Sequence, residues 1–228
     1  MKRWFLDPSE VMRAYRDPLS WVSLCVDLLP IIAVFAFGWG ATPLVALYWL
    51  ENLVIGAFTI LRMIGTALAS IASLVMALFM VPFFFFHYGL FCFGHGVFLY
   101  AFTDPSGGMP GPLGLISWAL FTAPEMLWFV GAIVLVNLLF LAADFFGRGE
   151  YKTSNPSAEM FAPYGRIVTL HVAIILGAGL AFTLDEPLLG VLLLILIRVL
   201  FGILTTVMRR RKRDTKVETA ASMVDDDA

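Results

Sequence analysis

The sequence predicts an all-α fold: an integral membrane bundle of six transmembrane helices with both termini in the cytoplasm. Three observations carry that prediction. The first is composition. Of 228 residues, 60% belong to the set AVILMFWYC and only 14% are charged, and the mean hydropathy is +0.88. A soluble domain is about 45–50% apolar and about 25% charged, so this chain lacks the polar surface to cover a globule in water. The second is a set of six apolar runs at 19–38, 43–66, 70–102, 124–146, 163–183 and 187–208. Each suffices for a membrane-crossing helix of about 20 residues. The third is charge placement. With the N-terminus inside, all but one of the 15 Lys and Arg residues fall on the inner side. The exception, Arg198, lies within the sixth run, and the outer loops carry no cation.

These numbers exclude an ordinary soluble enzyme and a disordered chain. The net charge of −2 leaves no basic footprint for nucleic acid. Helices are required because lipid cannot satisfy backbone groups and the runs lack the period-2 alternation of a membrane barrel.

Taken in order, residues 1–18 form a cytoplasmic interfacial segment. Asp7-Pro8-Ser9-Glu10 is a helix start, with Trp4 and Phe5 at the interface. The first run follows mixed charge and contains Asp27 and Pro30, so it is read as a span, not a cleaved signal. The third is too long for a perpendicular helix. It predicts a strong tilt, extension past the bilayer, or a break at Gly89, Gly94 or Gly96. The Gly- and Pro-rich loop 103–114 leads into LISWALF, read as a re-entrant or interfacial segment. The loop 147–160 is polar and cytoplasmic. The six-helix domain spans 19–208, and 209–228 is a basic stop with an acidic, disordered end. Trp39, Trp118 and Trp128 fit an outer interfacial belt. Phe83 to Phe86 read as lipid-facing bulk. Cys25 and Cys92 read as small apolar packers.

The scarce polar residues within the spans are the informative feature. A charge at mid-bilayer costs at least about 2.5–3.5 kcal/mol on insertion scales, so each needs a partner or a purpose. Counting about 1.5 Å per residue from the outer ends puts His95 about 10 Å deep and Glu51 about 13 Å. Asp27 and Arg198 fall about 16 Å deep, His171 about 18, Asn137 about 20 and His87 about 22 Å. In the second run, Tyr48, Glu51, Asn52, Ile55 and Gly56 share one face, and Gly56 permits close helix contact. Glu51, Asn52 and Arg198 are the catalytic candidates; a Glu51–Arg198 pair that merely fixes packing is the plainer reading. His87 and His95 are eight residues apart. In an unbroken helix they are separated by about 12 Å and about 80°, too far to share one ion with bonds of about 2.0–2.1 Å. His87 and His171 are candidates for opposed axial ligands of a b-type haem. Glu51, His95 and His171 make a His₂Glu set suited to a transition metal. For any one histidine, an interhelical hydrogen bond is the plainer alternative. The motifs H-E-x-x-H, C-x-x-C-H, G-x-S-x-G and the phosphate-binding glycine loops are absent from the sequence.

YWLEN in the second run, HYG followed by HG in the third and RIVTLH in the fifth resemble an uncharacterised family of prokaryotic membrane proteins, a domain of unknown function. The resemblance covers most of residues 1–205. It implies a multi-span protein of a bacterial or archaeal inner membrane and no particular reaction, and it makes Glu51, Asn52, His87, His95 and His171 the residues to test. Three functional classes follow: a metal- or haem-binding membrane enzyme, a transporter or proton relay using the same cluster, and a non-catalytic scaffold or accessory subunit. The expected partners are the lipid bilayer and, for an assembly, a second copy or another membrane subunit, with no nucleic acid.

Overall fold

The computed structural model describes Met12 and residues 15–16, 18–103, 108–165, 168, 195–196, 199–200, 202–204 and 207–208. Most of the runs 163–183 and 187–208, and the segments 1–11 and 209–228, lie outside the described residues. So do the positions His171 and Arg198. Every regular element among the described residues is helical.

Helix α1 (Pro18–Phe37) opens on a proline, whose missing N–H costs nothing in the first turn. It stops at Gly38, which takes a left-handed φ of 67° and donates its N–H to Val34 O at 3.0 Å. Three residues later α2 (Ala41–Thr66) begins after Gly40. A four-residue turn then leads to α3 (Ile71–Thr103), where the Ser70 hydroxyl accepts the Ser73 N–H at 3.1 Å as an N-cap. Helix α4 (Pro112–Leu120) again starts with Gly111-Pro112. Helix α5 (Met126–Phe140) runs on into a π-helical turn, Leu141–Gly147. A short 3₁₀ turn, Glu150–Lys152, precedes α6 (Pro156–Phe161). Asn155 caps α6 by accepting the Ala158 N–H at 2.9 Å.

Among the described residues, four helical stretches are long and apolar enough to cross a membrane: Ser20–Phe37, Ala41–Thr66, Ile71–Ala101 and Met126–Gly147. They coincide with the first four predicted runs. The third run is one unbroken helix through Pro82, Gly89, Gly94 and Gly96. At 33 residues it is about 50 Å long against about 30 Å of hydrocarbon, so its length is absorbed by lean or projection and not by a break.

Helix α2 is the hub. From Leu44 to Asn52 nearly every side chain is buried, the signature of a helix enclosed on all sides. Its partner α3 is enclosed on one face only. Phe84, Tyr88, Cys92 and Leu99 turn inward, while Phe79, Phe85, Phe86 and Leu90 are exposed, as lipid contact requires. In the Phe83–Phe86 run, read as lipid-facing and packing bulk, Phe84 packs inside and the other three are exposed. The segment LISWALF belongs to α4, whose Leu115 and Ala119 are fully enclosed in the core of α1, α2 and α5. Trp128 is 82% exposed, as a belt residue would be. Trp39 is not one: its ring is buried at 4.8 Å from Phe129, and its Nε1 donates to Glu125 Oε2 at 3.1 Å. A buried indole N–H needs an acceptor, and the Glu125 carboxylate supplies it.

Candidate functional site

The seam between α2 and α3 is fixed by small residues and by two tryptophan and tyrosine hydrogen bonds. The Tyr88 hydroxyl donates to Asn52 O at 3.0 Å, and the Trp49 indole donates to Cys92 O at 2.7 Å. Gly56 makes room for the Tyr88 ring, which would lie 2.6 Å from a Cβ there. Gly96 does the same for Trp49, at 2.7 Å. The two helices run antiparallel, with Trp49 level with Cys92 and Gly96, and Asn52 and Gly56 level with Tyr88.

That register positions the predicted residues. Glu51 and Asn52 are both buried, at 4% and 6% exposure, and Glu51 is engaged by a partner. At about 100° per residue, Tyr48, Glu51, Thr59 and Arg62 follow a stripe on the flank of α2 beside the seam. His95 is level with Tyr48 along the seam, about one turn nearer the Ala41 end of α2 than Glu51. Its Nδ1 is 2.7 Å from Phe91 O. A carbonyl only accepts, so Nδ1 carries the proton and Nε2 carries the lone pair. His87 is eight residues away on an unbroken helix, which separates the two imidazoles as the spacing predicted. It is half-buried among Phe83, Phe91 and Tyr164.

Two other predicted members go elsewhere. The Asn137 amide donates to Ile133 O of its own helix at 2.8 Å. Asp27 is buried and partnered, and its carboxylate lies against Gly202, where a Cβ would collide with it. Among the described residues, no group of three or more His, Cys, Asp or Glu side chains is arranged to hold a metal ion. The predicted sets that include His171 or Arg198 have members outside those residues.

Sequence reasoning missed a polar cluster at the far end of α2. Arg62 Nε donates to Glu159 Oε2 at 2.6 Å, and Nη2 reaches Glu159 Oε1 at 3.3 Å and Glu150 Oε2 at 3.2 Å. Ser154 Oγ donates to Glu159 Oε1 at 2.6 Å. The guanidinium stacks 4.4 Å above the Phe145 ring, which the π-helical turn presents and which Gly65 admits. Charge-assisted, forked geometry of this kind is the strong form of hydrogen bonding. The only signal in the sequence was periodicity: Arg62 follows Glu51 by three helical turns on one stripe.

The model for a family of unknown function, DUF6498, matches residues 10–219. The chain belongs to that family. No curated protein and no solved structure matches it. DUF6498 membership accords with the expected likeness to an uncharacterised family, and it assigns no reaction.

Proposed function

We propose that this member of DUF6498 is a polytopic membrane protein whose interior carries a transition-metal site built on Glu51, His95 and His171. The observation that carries the reading is the Nδ1–H of His95 on Phe91 O at 2.7 Å. Metal-binding histidines are oriented in this way, by one ring nitrogen donating to a carbonyl. Glu51 is buried on α2 about one turn along the axis from the level of His95. Tyr164 sits beside His87 and Tyr88. Counted from the outer ends of the runs, His171 falls about 18 Å deep, between His95 at about 10 Å and His87 at about 22 Å. Asn52, whose carbonyl is occupied by Tyr88, serves as a helix-positioning residue in this reading.

A second reading has one specific observation in its favour. Tyr48, Glu51, Thr59 and Arg62 line one stripe of the most enclosed helix, a polar track suited to proton movement.

Purified protein, stripped with chelator and reloaded with Zn(II), Fe(II) or Cu(II), separates the two. The metal site predicts one equivalent retained after gel filtration. Retention is lost in His95→Ala, His171→Ala and Glu51→Ala, and is kept in His87→Ala. A wild-type protein that holds no metal sinks that reading. Proton flux in proteoliposomes that stops in Glu51→Gln without any metal would establish the relay.

A further inference from the structure

His87 occupies the midpoint of α3, sixteen residues from either end of the helix. Its surroundings are aromatic. Phe83, one turn before it, stacks on the imidazole at 5.3 Å with the planes 11° apart. Phe91, one turn after it, meets it edge-on at 5.1 Å and 64°. Tyr164 stands 6.3 Å away at 35°. The ring is half-buried and has no hydrogen-bond partner among the described residues. Phe86 and Leu90, the adjacent residues on the outer side of α3, are 72% and 70% exposed, so the open side of this notch faces acyl chains.

With α3 read as a membrane span, its midpoint falls in hydrocarbon, where a polar group without a partner is unfavourable. The ring N–H and lone pair of the imidazole therefore call for a ligand that arrives through the lipid. Such a ligand must be apolar enough to partition there and must carry a hydrogen-bond acceptor. A planar ring would lie well against the aromatic walls. We propose that the His87 notch binds the head group of a lipid-soluble quinone. The imidazole N–H donates to a quinone carbonyl, Phe83 fixes the imidazole plane, and Phe91 and Tyr164 flank the quinone ring. The proposal rests on contacts of His87 alone and is independent of the metal site.

The test uses full-length protein in nanodiscs with decylubiquinone as the probe, read as a saturable rise in melting temperature. Wild type is expected to show the rise. His87→Phe preserves the aromatic stack and is expected to weaken binding about tenfold, the equivalent of one lost hydrogen bond. His87→Gln retains a donor and is expected to keep most of the affinity. Metal content should be the same in all three. No saturable effect in wild type, or an equal effect in His87→Phe, overturns the proposal. So does a haem absorption band lost in His87→Phe, which would give the imidazole to iron. A change from dimer to monomer in His87→Phe also overturns it, since a second copy would then be what covers the notch.

Discussion

Arg62 and Glu159 lie 97 positions apart in the chain and meet at 2.6 Å. This contact ties α6 and the segment before it to the end of the hub helix. Glu159 also holds Ser154, and Arg62 also holds Glu150 and covers Phe145. The loop that sequence alone described as polar is thus a latch fastened at one point, with a π-helical turn shaped to feed it.

Removing the cation should expose the strength of that latch. The side chain of Glu159 is 9% exposed and that of Arg62 26%. Breaking a fully buried pair from one side costs about 3–5 kcal/mol. Partial exposure of Arg62 lowers the expectation for Arg62→Ala to about 2 kcal/mol. Arg62→Met with Glu159→Met should lose less than the two single changes together, because no uncompensated charge remains. Thermal unfolding in detergent measures this. An Arg62→Ala protein that melts with wild type would show that the latch contributes nothing to stability.

The glycines of α2 and α3 divide into two kinds, and substitution should sort them. A Cβ at Gly56 would lie 2.6 Å from the Tyr88 ring, whereas at Gly89 or Gly94 it would meet open space. Gly56→Ala should therefore destabilise by about 1–3 kcal/mol through overpacking. Gly89→Ala and Gly94→Ala should be neutral or slightly stabilising, since alanine is the better helix former by about 1 kcal/mol. Equal melting temperatures for Gly56→Ala and Gly89→Ala would contradict the close seam.

The sequence foretold what depends on bulk properties and missed what depends on pairing. Four runs coincide with four long helices because a span needs an unbroken apolar stretch at least as long as the hydrocarbon is thick. The faces of α2 followed from periodicity, so Glu51, Asn52 and Gly56 could be assigned to the interior before any contact was known. Which acid meets which cation did not follow. Glu159 and Arg62 are joined by a chain reversal that no local pattern encodes. Asp27, whose place in its run fixes a depth and no neighbour, lies against Gly202. Trp39 resembled a belt residue because sequence position gives depth but not direction. Its indole turns inward to Glu125.

The charge asymmetry gives a topology that labelling can check. Cation-rich segments on one side predict Thr153 in the cytoplasm and Gly108 outside. With Cys25 and Cys92 replaced by Ala, a cysteine at 108 should react with a membrane-impermeant maleimide in intact cells. One at 153 should react only after permeabilisation. The opposite pattern would reverse the orientation, and reaction of both in intact cells would break the span count between them.

Gly202 offers a test of the buried Asp27. A Cβ at position 202 would press on the Asp27 carboxylate, which is 4% exposed on α1. The carboxylate cannot retreat into the apolar core without losing the contacts that keep its charge tolerable there. Gly202→Ala should then cost about 1–3 kcal/mol, the range for a core made too full. Asp27→Ala alone should also be unfavourable, because a partnered group is lost. In the double variant the new methyl occupies space the carboxylate vacated, so the two costs should not add. A double-mutant cycle on melting temperatures reads the coupling. Strict additivity would mean that Asp27 and position 202 do not share one pocket, and that the end of the chain packs on α1 by some other face.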